Sequence, residues 1–358
     1  NVLPEDTLWR TDIDIVVKGE GDSSIIDILS GKPLYEVGGI TFKQNGQVVS
    51  QPVQSLIPDL DSLAMPALDL YNIPSYTHPK VVARRNPVAS METSRGCYAR
   101  CSFCNKSIFH TKFRFKSPQR VIDEMKFIMS LGFKEIHIVD DMFTADLGRA
   151  KEICKKIINE RLDISWYPRG GIRVDKVDEE IFFLMKRAGV WHIPFGIESG
   201  NQEILNRTNK RITLEQVRRA VSLAKKAGIE TEGYFMLGLP GETKETIEDT
   251  LKFSLSIGLD YAKYAITVPL PGTTLFEEWD REGCIKTKDW SKYTFSTPTK
   301  ELYDHPSVSW KIIDEYYRAA PRRFYLRPTF ITRRFVRSLK QGELLEDIKT
   351  FLKIKWWG

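Results

Sequence analysis

Between about residues 117 and 268, stretches with apolar residues three and four apart end in a glycine and give way to a short apolar run. The pattern recurs in "IMSLGFKEIHIV", "LMKRAGVWHIPF", "LAKKAGIETEGYFML" and "SLSIGLDYAKYAITV". A period near 3.6 predicts an amphipathic helix, and a brief run rich in β-branched and aromatic residues predicts a buried parallel strand. Gly132, Gly189, Gly228 and Gly258 stand where a helix closes through a left-handed residue. Helix starts are equally legible: Ser117 before Pro118, Thr213 with Gln216, and Thr243. A further helix is expected over roughly 147–161. With strands at "PVASMETS" and "DISWYP", the count is about six strand–helix units. Such alternation predicts a parallel sheet with right-handed crossovers. Six units are too few for a closed eightfold barrel, which leaves a partial (β/α)6 barrel or a doubly wound open sheet.

The flanks differ. "DIDIVVKGEGD" reads as a strand entering a Gly-rich turn, and "GGITFKQNGQVV" as a hairpin turning at Asn45-Gly46. "PDLDSLAMPALDLYNIPSY" is a Pro-punctuated linker, and residues 300–358 are helical, basic and aromatic. The expected division is 1–55, 56–85 (linker), 86–290 (barrel) and 291–358 (helical extension).

Composition changes this picture little. With 358 residues, 42% hydrophobic and 28% charged, the chain is long enough for a barrel with extensions. Its net charge of +6 is spread out, so nucleic acid is not an expected partner. No apolar run approaches the roughly 18 residues of a membrane span, and no secretory pattern opens the chain. Five cysteines, three of them in one loop, do not make a disulfide framework. The expected compartment is the cytoplasm.

The chemistry lies in "ETSRGCYARCSFCNKS", residues 92–107, where Cys97, Cys101 and Cys104 are close enough in sequence to reach one metal centre. A structural zinc takes four ligands, and His110 is the nearest candidate for the fourth. An electron-carrying cluster also closes with four protein ligands, and no fourth cysteine is near. A four-iron cluster held by three thiolates keeps one iron open for a small molecule.

This spacing, with Phe103 before the last cysteine, resembles the signature of the radical S-adenosylmethionine (SAM) superfamily. The resemblance covers about residues 86–290. It implies a six-stranded partial barrel and a 4Fe–4S cluster on Cys97, Cys101 and Cys104. It further implies SAM on the open iron and its reductive cleavage to a 5′-deoxyadenosyl radical. Carried over by motif, the SAM-binding residues are Asp140 and Asp141 in "IHIVDDMFT", Arg173 in "RGGIRVD", and Glu198 and Ser199 in "PFGIESGNQEIL". Gly196 and Gly200 flank that pair and would let backbone approach ligand. Gly238 in "YFMLGLPGET" and Pro269 in "VPLPGTTLF" complete the set. No catalytic residue beyond these is assigned.

"VVKGEGD" and "IPDLDSLAMPALDL" resemble the branch that carries an N-terminal Rossmann-like cobalamin-binding domain. Asn1 would then fall inside that domain, leaving a remnant that is not expected to hold cobalamin, though a full-length parent would. The branch implies methylation of an unactivated carbon, with tetrapyrrole-type ring closure or methylthio transfer as alternatives. A zinc or iron–sulfur binding module without chemistry is the alternative of another class. Expected partners are a small or lipid-like substrate and a reductant such as flavodoxin or ferredoxin. Peripheral membrane contact through the basic C-terminus is a further expectation. The plainer expectation for that segment places its aromatics on the barrel and its arginines in water.

Overall fold

The computed structural model describes residues 2–294, 298–342 and 344–353. An N-terminal unit contains α1 (Pro4–Arg10), β1 (Ile15–Val17), α2 (Asp22–Leu29), β2 (Ile40–Gln44) and β3 (Gln47–Ser50). Its three strands pair antiparallel in sequence order. Asn45 and Gly46 both take positive φ, 50° and 76°, as the hairpin reading requires. An irregular segment then leads to β4 (Val88–Met91).

Beyond β4 the short strands β5 (Ser94–Arg95) and β6 (Arg114–Phe115) bracket the cysteine loop. The alternation follows through α3 (Pro118–Ser130), β7 (Glu135–Ile138), α4 (Leu147–Asn159), β8 (Ser165–Pro168) and α5 (Glu179–Arg187). It continues in β9 (His192–Glu198), α6 (Gln202–Arg207), α7 (Leu214–Lys226), β10 (Glu230–Leu237), α8 (Lys244–Ser256), β11 (Tyr261–Ile266) and α9 (Thr274–Arg281). Three C-terminal helices follow: α10 (Trp310–Tyr325), α11 (Pro328–Gln341) and α12 (Leu344–Lys353). β4, β7 and β8 form one parallel ladder and β9, β10 and β11 another. Parallel bridges from Trp166 to Val190 and from Ile172 to Phe195 join them. The result is a row of six parallel strands, the partial barrel that the resemblance implies and one of the two architectures the alternation allows.

The caps agree with their sequence signals. Ser117 accepts from Arg120 N, Thr213 and Gln216 form a capping box, and Thr243 pairs likewise with Thr246. The four helix-closing glycines have φ between 74° and 102°.

Along a strand successive side chains point to opposite faces. Ile136, Ile138, Trp166, Ile193, Phe195 and Phe235 share one core with α3, α4, α5 and α7. The other face of the same strands carries Glu135, His137, Tyr167, His192, Glu232 and Lys263, by the pleat and by their mutual contacts. A filled barrel packs its interior with branched apolar residues. This inner face is polar instead, so its strands are not the continuous apolar runs that the sequence reading expects.

In the C-terminal extension Phe324, Tyr325 and Phe330 pack on the barrel core as expected, but the rest of α11 departs from that arrangement. Arg333 donates to Leu259 O at 2.6 Å, and Arg337 reaches Glu230 and Asp260 at 3.3 and 3.5 Å. Meanwhile Ile331, Phe335, Val336 and Leu339 are about half exposed. The arginines of α11 thus face the barrel because acidic groups wait at the starts of β10 and β11. No described helix is long and apolar enough to cross a membrane.

Candidate active site

The cysteine loop leaves β5 and returns through β6, which pair antiparallel as a narrow neck. Gly96 opens the loop at φ +87°, and a Cβ there would lie 2.1 Å from Lys112 O. Only glycine fits so close a passage. Farther out, Ser102 N donates to Thr208 O at 3.0 Å, and Leu275 N donates to Ser102 O at 3.0 Å. Asn105 Nδ2 donates to Pro271 O and Asn209 Nδ2 to Arg100 O. The loop is therefore fastened across connections that follow β9 and β11, at the carboxyl ends of the strands. Parallel α/β folds build their sites on this face.

Cys97 is buried, and Cys101 and Cys104 are half-buried and free. Burial pushes the Cys101 thiol up, while the Lys210 ammonium and Arg173 guanidinium pull it back. Burial opposes the charge on Lys106, yet Cys104, Cys97 and Asp141 hold its ammonium above the ordinary value. Arg173 is likewise desolvated but held charged by Asp175, Cys101 and Cys97. At Cys101 burial outweighs the Lys210 and Arg173 cations, so its thiol is held above the ordinary value. Among the described residues no three His, Cys, Asp or Glu converge on one metal ion. His110, the nearest candidate for a fourth zinc ligand, lies exposed on a cavity of about 340 Å³ that Asp141 and Lys106 also line. In a four-iron cube each thiolate takes its own iron, so the sulfurs need not meet at one point.

The carried-over residues divide by what occupies them. Asp140 is 2% exposed, and its carboxylate accepts from Thr93 N, Thr93 Oγ1 and Ser94 Oγ at 2.5–2.6 Å. It braces the stem of the cysteine loop. Asp141 is exposed and accepts from Gly96 N at 3.1 Å, at the mouth of that loop. Arg173 pairs with Asp175 at 2.9 Å and donates to Lys210 O at 3.0 Å. Glu198 ends β9 at φ +70°, which costs a non-glycine residue about 1 kcal/mol or more. Its Oε1 lies 2.8 Å from Lys210 Nζ. Its carboxylate is near enough to Cys101 to act on that thiol's charge.

Ser199 and Gly200 face elsewhere. Ser199 is fully buried, with its hydroxyl 3.0 Å from Thr250 Oγ1 of α8. A Cβ on Gly200 would meet Phe253 Cβ at 2.4 Å and Thr250 Cα at 2.7 Å. The reading of Gly200 as an opening for ligand is corrected: it admits α8. A Cβ on Gly196 would crowd the ends of Glu198 and Lys210, so that glycine makes room for the ion pair. Gly200→Ala is expected to lower stability by about 1–3 kcal/mol by overpacking, read as a drop in Tm. SAM affinity of the folded protein should be unchanged. Gly238, at φ +80°, donates its N–H to Glu242, and Pro269 is buried after β11, two residues before the Pro271 that anchors Asn105.

Comparison with known proteins bears on this arrangement. The model of the Radical SAM superfamily matches residues 91–254. An uncharacterized methyltransferase, PH0819, of Pyrococcus horikoshii is 37% identical over 344 residues, 91% of this chain and 73% of its own. The chain belongs to the radical SAM superfamily. An anaerobic magnesium-protoporphyrin IX monomethyl ester cyclase of Rubrivivax gelatinosus is 29% identical over 95% of this chain, which spans 62% of that protein. The solved radical SAM methyltransferase TsrM of Kitasatospora setae, with cobalamin and a 4Fe–4S cluster bound, superposes with a TM-score of 0.65. It is 18% identical, covering 84% of this chain and 62% of that one, so it speaks for the fold. As a radical SAM enzyme, the protein has a 4Fe–4S cluster and SAM as cofactors, and the loop's three thiols with their surrounding cations fit them.

Sequence reasoning missed Lys106, although it stands only two residues after Cys104, and Lys210, whose place beside the thiols depends on folding. It also missed the inner face, although the signal was present. "EIHI", "SWYPR" and "ETEGY" put polar groups at alternate positions of strands expected to be apolar throughout.

Proposed function

We propose that this radical SAM chain is the SAM-cleaving part of a cobalamin-dependent enzyme that methylates an unactivated carbon. The observation that carries the first half is the three-thiol loop at the barrel mouth, ringed by Lys106, Arg173 and Lys210. What such a cluster supplies when bound is one electron for reductive cleavage of SAM. The chain's own residues do the rest. Cys97, Cys101 and Cys104 hold the cluster. The Glu198–Lys210 pair and Arg173 offer a carboxylate and two cations to the amino-acid end of SAM.

The polar inner face supports a substrate inside the barrel. Glu135 pairs with His137 and Glu232 with His192, at 3.0 and 3.2 Å, and Tyr167 packs against both imidazoles. His192 Nδ1 is buried without a partner among the described residues. Arg169, exposed at the end of β8, has its Nη1 3.5 Å from His137 Nδ1, and the Lys263 side chain is 68% exposed. Such a surface suits a substrate with an aromatic or apolar body and an anionic or hydrogen-bonding edge.

Methylation is favoured by the methyltransferase relative, and cobalamin by the likeness to TsrM. Because the chain spans only part of the cyclase and of TsrM, whole-protein activity is proposed for the longer protein. Residues 2–55 form an antiparallel unit, so the parallel layer of a corrin site is proposed to come from outside it. Ring closure is the second reading, favoured by the cyclase alignment over 95% of this chain. Anaerobic reconstitution should give about four irons per chain and, with reductant, methionine and 5′-deoxyadenosine from SAM. Stoichiometric zinc without SAM cleavage would sink the proposal.

A further inference from the structure

Outside the segment that the family model matches, the turn Lys18-Gly19-Glu20-Gly21-Asp22 sits between β1 and α2. The Glu20 side chain is 3% exposed. Its Oε1 accepts from Arg95 Nη1 at 2.8 Å and from Arg114 Nη1 at 2.9 Å. Its Oε2 accepts from Arg114 Nη1 at 2.8 Å and from Ile57 N at 2.7 Å. Arg95 lies on β5, two residues before Cys97, and Arg114 lies on β6 and pairs with it in register. One buried carboxylate thus grips both strands of the neck through which the cysteine loop leaves and returns. The two guanidinium carbons stand 5.9 and 5.8 Å from the ring of Phe109, a residue of the loop itself.

We infer that Glu20 is a positioning residue for the cluster-binding loop, an inference that rests on reading that loop as the cluster site. The two arginines depend on it unequally. Arg95 also pairs with Asp22 and Glu92, at 2.9 and 2.7 Å. For Arg114, 11% exposed, Glu20 is the acidic partner among the described residues, and its Nε and Nη2 are buried without acceptors. Removing the carboxylate leaves a buried guanidinium without a counter-charge, a costly state that relaxes by moving toward water. The strand that moves is β6, and it carries the Lys112–Phe109 side of the loop against which Gly96 is pressed. The N-terminal segment keeps other anchors: Asp61 accepts from Ser117 N at 2.8 Å, and Arg120 donates to Leu63 O at 2.8 Å. Glu20 therefore holds the loop's shape rather than the docking of the segment as a whole.

The test uses the full chain without a cluster, kept reduced and labelled with iodoacetamide, each cysteine being followed by peptide mass spectrometry. In the wild type, Cys97 should react more slowly than Cys101 and Cys104, because it is the most buried of the three. In Glu20→Gln the Cys97 rate should rise on the order of tenfold, while Cys154, fully buried on α4, stays protected. On the reconstituted chain, iron loss to a chelator should quicken in parallel. Unchanged Cys97 protection in Glu20→Gln overturns the inference, and so does equal exposure of Cys154, which would report general loosening. If Glu20→Gln does not fold, Arg114→Lys keeps the charge but loses the fork, and the same increase at Cys97 is required. Labelling needs no cluster, so a chain that never loads iron would defeat the functional reading and still decide the role of Glu20.

Discussion

Alanine at Cys97, Cys101 or Cys104 abolishes iron loading and SAM cleavage together, whereas Cys154→Ala and Cys284→Ala retain both. The reason is that the donor set has no redundancy. Two thiolates cannot hold a cube that already leaves one iron to SAM, and among the described residues no neighbouring His, Asp or Glu converges to replace the lost ligand. The loss should exceed the roughly 10–100-fold that follows removal of an outer-shell partner. Cys154 is fully buried on α4, where burial alone pushes its thiol far above the ordinary range, and it behaves as a small apolar residue. Its replacement leaves a small void and costs about 1 kcal/mol without touching the loop. Cys284 is half-buried beside Trp279 and Tyr303. Iron content and 5′-deoxyadenosine release, measured on all five variants without oxygen, check the claim. Full SAM cleavage by Cys101→Ala would refute the cluster assignment.

Features carried by local chemistry were legible in the sequence. Ser117, Thr213 and Thr243 cap helices through hydrogen bonds to residues three positions away, so their signals survive without tertiary context. Gly132 and Gly189 close helices for the same reason, and six such punctuated units already narrowed the fold to a partial barrel or an open doubly wound sheet. The cysteine trio was legible because its three ligands span eight residues. Relations across the fold were not. Glu20 meets Arg95 and Arg114, which lie 75 and 94 positions away, and nothing near "GEGD" announces a buried carboxylate. Ser199 and Gly200 resemble ligand-facing residues in sequence, yet they face α8 because Thr250 and Phe253 arrive there. The outward turn of apolar groups on α11 follows from Glu230 and Asp260, about a hundred residues earlier in places. Local rules fix elements; the identity of whatever packs on them decides which face is used.

The same dependence on distant packing gives the second large effect, a pH-dependent stability set by Glu242. This residue follows β10 in "GLPGET" and is fully buried, beneath the segment that carries Tyr303 and His305. Its Oε2 accepts from Gly238 N at 2.6 Å and Leu239 N at 3.1 Å, while its Oε1 has no partner among the described residues. Burial pushes the carboxyl from 4.5 up to about 8, and the two backbone donors only partly counter it. The folded protein therefore holds a proton here at neutral pH that the unfolded chain releases. A pKa raised on folding contributes stability that is complete below the unfolded value and is lost as pH rises through the folded one. Between about pH 5 and pH 8 the wild type should lose about 1.4 kcal/mol per pH unit from this group. Glu242→Gln keeps the oxygen that accepts from Gly238 and Leu239, and its amide does not titrate. Other groups titrate equally in both proteins, so the difference between their urea-unfolding free energies isolates Glu242. That difference should move in favour of the glutamine variant with the stated slope, and a difference that stays flat from pH 5.5 to 7.5 would show that Glu242 is ionised in the fold.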